Sequence, residues 1–278
     1  KNINSAVYKK ERLGESETEC NYISIAGHRY FGVTVAYQDV DAYAERDMEK
    51  TRDMGVGMLP PKLAQIMINL SFSSRPLGEG SGVRAIYDPF CGLGTILIEA
   101  VNMGYGEIFG SDISKEMVSA TQKSIADFVA KKDLKIESLV FEADASKIAM
   151  KLPDTMDIRT TAIVTEGYLG DVLNARTVSD EKIREQWRKL ARIYDGFFRD
   201  LRTIGFRGDI VISFPFWELR GKNIFFEDIT LIIDRYRFTP QPLLDDSIPF
   251  RPTPSGSLLY KRPGQTVGRE IYKLRFEG

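Results

Sequence analysis

Histidine and cysteine are scarce in this chain of 278 residues, which has one histidine and two cysteines. His28 has no second imidazole with which to hold a metal ion, so we interpret it as a hairpin-turn residue and expect no metal site. Cys20 and Cys91 stand in unlike contexts without regular spacing, which favours a reducing compartment over a disulfide framework. We therefore expect a cytoplasmic protein.

Long hydrophobic runs and an excess of charge of one sign are also missing. The apolar stretches, such as residues 210–217, are far shorter than the roughly 20 residues that cross a bilayer. The net charge of −1 neither predicts nor excludes a nucleic-acid partner. A hydrophobic content of 43% excludes a disordered chain. The sequence begins at Lys1 rather than at a methionine, which leaves room for an upstream segment.

The first part of the chain predicts a small hairpin and a linker. Residues 21–25 and 30–37 alternate as strands do, around a turn at Gly27 and His28, and a charged segment follows at residues 39–53. A helix is predicted at residues 62–70, after two prolines, and a loop at residues 73–82. We therefore divide the chain into an N-terminal hairpin and linker region, residues 1–55, and a main domain, residues 56–278.

From residue 84 onward, short apolar strands alternate with amphipathic helices. Strands are predicted at residues 85–87, 107–111, 139–143, 162–164 and 209–213. Such alternation predicts a parallel sheet that is covered on both faces. Near the end, helical spacing at residues 225–236 gives way to two strands, residues 257–261 and 270–274, around a turn. The predicted fold class is α/β, Rossmann-like, with a mainly parallel sheet and a C-terminal antiparallel hairpin.

The segment DPFCGLGT, residues 88–95, follows the first predicted strand and opens a helix. Gly92 and Gly94 let the backbone approach a ligand closely, and the helix start offers unpaired N–H groups. Leu97 stands where the dinucleotide motif G-x-G-x-x-G has its third glycine. We therefore favour a nucleotide-like cofactor without phosphates.

Acidic residues follow the next two predicted strands. Asp112 lies where a carboxylate accepts hydrogen bonds from ribose hydroxyls, and Asp144 lies where one could accept from an adenine amine. Each residue alone is equally well explained as a helix cap or a turn former. Together with Asp88 and the glycines, they describe a site for adenosine that carries a positive centre. S-adenosylmethionine is such a molecule.

The segment DPFCGLGTILIEA, residues 88–100, resembles the first motif of class I methyltransferases that modify amino groups on nucleic acid bases. With MLPPKLAQIMINL, residues 58–70, before it, the chain resembles the THUMP-linked tRNA guanine-N2 methyltransferase family over about residues 30–275. The resemblance implies a seven-stranded sheet, S-adenosylmethionine as cofactor, and tRNA or another structured RNA as substrate. It implies that the cofactor contacts Asp88, Pro89, Phe90, Cys91, Gly92, Gly94, Thr95, Asp112, Ile113, Asp144 and Ala145. The family's THUMP domain is not evident in the first 50 residues, so RNA capture would fall to a preceding segment, a protein partner or this domain's own surface.

The segment TEGYLG, residues 165–170, follows the fourth predicted strand, where amino methyltransferases carry Asp or Asn, two prolines and an aromatic residue. Tyr168 keeps a ring that can stack on a flipped base. Thr165 stands in the acceptor position but has a hydroxyl in place of a carboxylate. In one interpretation, Glu166 accepts the hydrogen bond of the target amine instead. In the other, the chain is a non-catalytic module that binds S-adenosylmethionine and RNA. We favour an enzyme with Thr165, Glu166 and Tyr168 as catalytic residues; a DNA adenine-N6 methyltransferase is a further alternative.

Basic residues outside these motifs predict two surfaces that could contact RNA phosphates. Arg184, Arg188 and Arg192 follow one side of a predicted helix, but acidic neighbours favour a solvated ion-pair face there. The better candidates lie around the terminal hairpin: Lys261, Arg262 and Arg269. A place in a base pocket and a place in the core explain Trp217 equally well. Cys91 is better explained as a small packing residue than as a nucleophile.

Overall fold

The computed structural model describes residues 20–25, 27–33, 41–43, 59–71, 85–171, 173, 176, 178–244 and 251–278. The chain divides into two compact units, residues 1–49 and 50–278. In the first unit, β1 (Cys20–Ile25) and β2 (His28–Val33) form an antiparallel hairpin, with Gly27 at φ +82° in its turn. The predicted hairpin is confirmed, but His28, predicted as a turn residue, is the first residue of β2 and pairs with Ile25. The predicted extension to residue 37, the linker boundary near residue 55 and the loop at residues 73–82 lie outside the described residues.

The second unit is built on one nine-stranded sheet. Five strands are mutually parallel: β3 (Ala85–Asp88), β4 (Glu107–Asp112), β5 (Glu137–Glu142), β6 (Thr161–Thr165) and β7 (Ile210–Leu219). Four more strands follow: β8 (Lys222–Phe225), β9 (Phe238–Pro240), β10 (Leu258–Tyr260) and β11 (Val267–Phe276). The strand order is β10-β11-β7-β6-β3-β4-β5, with β8 beside β7 and β9 beside β11.

Strand β11 runs antiparallel to all three strands that it pairs with, β7, β9 and β10. The predicted α/β class and the C-terminal antiparallel hairpin are therefore confirmed. Seven strands lie on the main path of the sheet, as the family resemblance implies, whereas the short strands β8 and β9 were not predicted. They are only 4 and 3 residues long, too short for an alternating pattern to stand out from the sequence.

Helices cover both faces of the sheet and bury an apolar layer on each. Their bounds are α1 (Pro61–Leu70), α2 (Thr95–Asn102), α3 (Lys115–Lys132), a 3₁₀ helix (Ala145–Met150), α4 (Asp180–Thr203) and α5 (Asp228–Arg235). Ser114 and Ser179 cap α3 and α4, because their side chains accept from the N–H groups of Met117 and Lys182. One apolar side of α4 is buried, including Ile183, Leu190 and Tyr194. In the described residues, no helix is long and apolar enough to cross a membrane.

Two predicted boundaries are wrong near β7. The strand was predicted to end at residue 213, before Pro215, but it continues to Leu219. The parallel pairing of β6 with β7 ends at Thr165 and Ile212. β6 therefore forms no hydrogen-bond ladder with β7 at Pro215, where proline has no N–H to donate. The segment predicted as helical from residue 225 begins as strand β8, and α5 starts only at Asp228.

The parallel strands end at one edge of the sheet and bring the acidic residues of the motifs to adjacent tips. In the register, Asp88 of β3 pairs with Gly110 of β4, and Asp112 of β4 pairs with Glu142 of β5. Such an edge, outside the carboxyl ends of parallel strands, is where open α/β sheets bind ligands.

Candidate cofactor and substrate site

The glycine bend between β3 and α2 is tied to the neighbouring elements. The N–H of Gly92 donates to Asp112 Oδ2 at 2.9 Å, and Thr121 Oγ1 of α3 donates to the Gly92 carbonyl at 2.6 Å. Gly94 has φ +76°, and a Cβ there would lie 2.6 Å from Thr121 Cγ2, so only glycine fits. A Cβ on Gly92, in contrast, would meet nothing within 4 Å. The bend is therefore fixed, and its backbone at Gly92 faces open space.

The residues around the two glycines support the bend from behind. Pro89, Cys91 and Thr95 are buried, and the Phe90 ring packs 6.0 Å from that of Tyr194 on α4. Burial raises the pKa of the Cys91 thiol, and the nearby carboxylates add to that shift. Cys91 is thus a protonated packing residue and not a nucleophile, as its position beside Gly92 suggested.

Asp88 is the most buried carboxylate of this edge, with 2% of its surface exposed. Its Oδ1 accepts hydrogen bonds from the Phe90 N–H at 3.1 Å and from Thr165 Oγ1 at 2.6 Å. Burial, aided by the negative charges of Asp112 and Glu166 and opposed by the hydrogen bonds from Thr165 and Phe90, raises the pKa of Asp88 to about 7. A cation placed beside this carboxyl group would favour its ionised form.

Asp112 and Asp144 lie at the next two strand tips. Asp112 accepts from Gly92 N–H on Oδ2 and from Ser114 N–H on Oδ1, both at 2.9 Å, which leaves each oxygen a second lone pair. Asp144 accepts from the Ser146 N–H at 2.9 Å and so caps the 3₁₀ helix. Capping, the alternative explanation of these residues, is therefore present as well.

Two apolar residues follow these carboxylates. Ile113, after Asp112, has 70% of its surface exposed, which is unusual for isoleucine and leaves an apolar side chain open to a ligand. Ala145, after Asp144, has 5% of its surface exposed and packs in the core. The structure thus brings Asp88, Asp112 and Asp144 to three adjacent tips, with Ile113 exposed beside the second.

The substrate loop, which we define as residues 165–171, begins at a buried threonine. Thr165 is fully buried; its hydroxyl donates to Asp88 and accepts from the Gly167 N–H at 3.2 Å. Glu166 follows, and Arg269 Nε donates to its Oε1. Ser213 Oγ of β7 donates to the Glu166 carbonyl. Thr165 therefore joins the loop to the cofactor motif, while the side chain of Glu166 keeps 20% exposure.

The rest of the substrate loop is fixed by α4. Gly167 has φ +70°, and a Cβ there would lie 2.6 Å from the Tyr194 hydroxyl. That hydroxyl donates to the Tyr168 carbonyl at 2.8 Å. The Tyr168 hydroxyl donates to Asp171 Oδ1 at 2.8 Å, and Lys189 Nζ contacts Asp171 Oδ2 at 2.7 Å. The Tyr168 ring, 36% exposed, is thus held at both its backbone and its hydroxyl.

The structure corrects the interpretation of Arg269, decides between the two explanations of Trp217 and gives Lys261 an ion-pair partner. Arg269, predicted as a surface contact for RNA, is 2% exposed and pairs with Glu166, because β11 lies inside the sheet and not at its edge. Trp217 is fully buried in the core and lines no open pocket. Lys261, of the same predicted surface, pairs with Glu218.

The arginines of α4 also differ from expectation. Arg184, Arg188 and Arg192 are exposed, but among the described residues none of them has an ion-pair partner. Two acidic neighbours of these arginines form ion pairs with other residues: Glu185 pairs with Lys189, and Asp195 pairs with Arg235.

The strand order, the reversed β11 and the glycine bend with acidic strand tips define a class I, Rossmann-like methyltransferase domain. Residues 49–149 match the family model of the RMKL-like methyltransferase domain. The resemblance to the tRNA guanine-N2 methyltransferase family is confirmed by two relatives. Both are tRNA (guanine(10)-N2)-dimethyltransferases, from Methanothermobacter thermautotrophicus (34% identical over 131 residues) and Methanocaldococcus jannaschii (33% over 130).

These matches cover 47% and 46% of this chain, and 33% of each relative, so the chain spans about a third of the length of the relatives that it matches. Among solved structures, TrmN from Thermus thermophilus overlaps with a TM-score of 0.49 at 17% identity, over 90% of this chain and 57% of that one.

Proposed function

We propose that this chain is an S-adenosylmethionine-dependent methyltransferase that acts on an exocyclic base amine of RNA, namely guanine N2 in tRNA. The hydrogen bond of 2.6 Å between Thr165 Oγ1 and Asp88 Oδ1 carries the proposal. It joins the tip of β3, which bears the glycine motif, to the tip of β6, which bears the substrate loop. A methyl donor at the first tip would therefore lie beside an acceptor at the second.

The residues at the first three tips fit S-adenosylmethionine. The open backbone at Gly92 gives room for its methionine part beside Asp88 and Gly94, and the lone pairs of Asp112 suit its ribose hydroxyls. We assign its adenine to Asp144, Ala145 and the exposed Ile113. When bound, this cofactor supplies a methyl group on a sulfonium centre. The partly protonated Asp88 would ionise beside that positive charge.

The residues of the substrate loop would orient the target base. The Glu166 carboxylate would accept a hydrogen bond from the exocyclic amine and so direct the nitrogen lone pair toward the methyl group. The Tyr168 ring would stack on the flipped base. Such a transfer depends on orientation more than on a strong base. In this proposal Thr165 acts through Asp88, since its own hydroxyl is buried.

We assign this activity to residues 56–278 and the hairpin and linker to residues 1–55. A tRNA substrate implies a cytoplasmic location. RNA capture would be shared with a preceding RNA-binding segment or a protein partner. Two alternatives compete with the proposal: a non-catalytic module that binds S-adenosylmethionine and RNA, and a DNA adenine-N6 methyltransferase.

Methyl transfer separates the three functions. The chain is incubated with methyl-labelled S-adenosylmethionine and either total tRNA or double-stranded DNA, and the nucleosides are identified by mass spectrometry. We expect N2-methylguanosine in tRNA, and a rate about 100-fold lower with Glu166→Gln, because the variant misplaces the amine. Glu181→Gln, an exposed residue of α4, is the matched control and keeps the wild-type rate.

The other outcomes would contradict the proposal. Methyladenosine in DNA would favour the DNA enzyme. Cofactor binding in a calorimeter, without transfer to either nucleic acid, would favour the binding module.

A further inference from the structure

The reversed strand β11 brings a buried cation to the substrate loop. Arg269 lies opposite Pro215 of β7 and is 2% exposed. Arginine is almost never fully buried unless it is paired. Here its Nε donates to Glu166 Oε1, across 103 residues of sequence. A charged pair in such a position is formed by the fold and is not a product of neighbouring residues in the chain.

The position of Arg269 is fixed by its strand. β11 pairs with β7 continuously from the register pair Val267 and Trp217 to Leu274 and Ile210. Gly268, just before Arg269, lies so close to the Phe216 ring that a Cβ would overlap it. β11 is therefore held close to β7 at the position of Arg269. A planar guanidinium on such a strand presents its donors in a rigid fork, unlike the flexible ammonium of a lysine.

Glu166 stands where the resembling enzymes have a rigid proline, and it is followed by a glycine and not by a second proline. A free glutamate side chain loses rotamer entropy when it is ordered. Its charge also lies near that of Asp88, and like charges disfavour ionisation. Glu166 therefore needs both a fixed orientation and a nearby cation.

We propose that Arg269 is a positioning residue, which orients the Glu166 carboxylate and keeps it ionised as the acceptor for the target amine. The inference deepens the proposed function and rests on it. An ionised carboxylate only accepts hydrogen bonds, as the donating amine requires. Arg269 itself, with its side chain 3% exposed, touches the acceptor and not the base.

A purely structural ion pair makes different predictions from a positioning residue. Loss of a structural pair lowers the melting temperature but leaves the pH profile of the surviving activity unchanged. Loss of a cation that keeps a carboxylate ionised raises the pKa of that carboxylate, so the acid limb of the kcat profile moves to higher pH. If Arg269 acts through Glu166, its removal also adds nothing once Glu166 is gone.

The experiment measures kcat and KM for tRNA between pH 5.5 and 9, cofactor affinity and melting temperature for Arg269→Gln, Arg269→Lys, Glu166→Gln and the double variant E166Q/R269Q. For Arg269→Gln we expect kcat to fall about 10- to 100-fold, in keeping with a misplaced group, with cofactor affinity unchanged and the acid limb at higher pH. Arg269→Lys restores the acid limb and only part of kcat. The double variant is no slower than Glu166→Gln.

Arg275→Gln is the matched control on the same strand. Arg275 pairs with Asp209, which lies before β7 at the opposite edge of the sheet. We expect a lower melting temperature with the wild-type kcat and pH profile.

The possible failures are distinct. If the wild type methylates tRNA and Arg269→Gln keeps its kcat and acid limb, the positioning role is wrong and the proposed function stands. If the wild type transfers no methyl group to RNA, the proposed function fails and the positioning role with it. Should Arg269→Gln not fold, Arg269→Lys decides, because the wild-type kcat in that variant contradicts the need for the guanidinium fork.

Discussion

The cofactor half and the substrate half of the site are stabilised in different ways. At the glycine bend and the Asp112 tip, backbone N–H groups donate across 2 and 20 positions, and the Thr121 side chain donates across 29. The substrate loop also has two local hydrogen bonds, Gly167 to Thr165 and Tyr168 to Asp171. Its other partners lie 26 to 103 positions away in the sequence, and side chains are the donors of those bonds. The first half is thus encoded within residues 88–121, whereas the second exists only once β7, α4 and β11 are packed together.

The glycines of the two halves show the same contrast. A side chain at Gly92 would meet nothing within 4 Å, whereas one at Gly167 would meet the Tyr194 hydroxyl at 2.6 Å and the Ser213 carbonyl at 2.7 Å. The absence of a side chain at Gly92 therefore leaves space for a ligand, whereas its absence at Gly167 allows Tyr194 and Ser213 to pack against the loop.

The largest expected effect tests the junction of the two halves, at Asp88. Because burial raises the pKa of Asp88 to about 7, the folded chain binds its proton more tightly than the unfolded chain, and the wild type loses stability as pH rises toward 7. Between pH 5 and pH 8 this loss amounts to about 3 kcal/mol, a cost that Asp88→Asn removes. Denaturant unfolding of both proteins at the two pH values measures it. An equal pH dependence in wild type and variant would contradict the buried carboxylate.

Gly167→Ala breaks the substrate half alone. The positive φ and the close contacts require the loop to shift by more than a few tenths of an ångström, and a displacement of about 1 Å costs about 100-fold in rate. We expect that loss in methyl transfer, with cofactor affinity unchanged in a calorimeter. Gly221→Ala, at φ +75° with open space around it, controls for backbone strain and keeps the rate. A matched loss in both variants would assign the effect to strain.

Tyr168→Leu sharpens the comparison by removing only the ring. Stacking contributes about 1–3 kcal/mol per base, so we expect KM for tRNA to rise by about 10- to 100-fold. Tyr168→Phe keeps the ring and loses the hydrogen bond to Asp171, and its KM stays near that of the wild type. Equal KM values for the leucine variant and the wild type would exclude stacking.

The smallest effect is expected at the exposed end of the substrate loop. Hydrogen bonds from Lys189, Gln186 and Tyr168 lower the pKa of Asp171 to about 2, so its contribution to stability is present above its ordinary pKa and is lost only as pH falls toward 2. The pair with Lys189 is half exposed, and Lys189→Ala should cost less than about 1 kcal/mol, and less still in high salt. Unfolding at low and high salt checks this; a large, salt-independent loss would contradict it.

The same contrast between local and long-range contacts explains how much of the structure could be predicted from the sequence. The strands β3 to β6, the helices after them and the glycine bend were predicted, because apolar periodicity and turn residues are local signals. Asp112 and Asp144 could be placed at neighbouring tips because parallel strands end at one edge. β8, β9 and the extension of β7 past Pro215 could not, since short strands and a proline in a strand depend on which neighbours happen to be present.

The partners of the substrate loop had no local signal. Arg269 stands in a segment with Lys261 and Arg262 and looks like part of a basic surface. Only the insertion of β11 between β7 and β10 buries it beside Glu166. The hydroxyls of Ser213 and Tyr194, which fix the loop, likewise lie in apolar stretches, where their side chains would pass for ordinary core residues.

The place of β11 in the sheet has a consequence for synthesis. This strand leaves the ribosome after all the others of the sheet, yet it lies inside the sheet, between two strands that are made before it. A nascent chain that has not reached Val267 already contains Asp112 and Thr121, the partners of the glycine bend, but it lacks Arg269, the partner of Glu166. In the proposed function, the cofactor residues would thus be present during translation before the acceptor Glu166 is oriented.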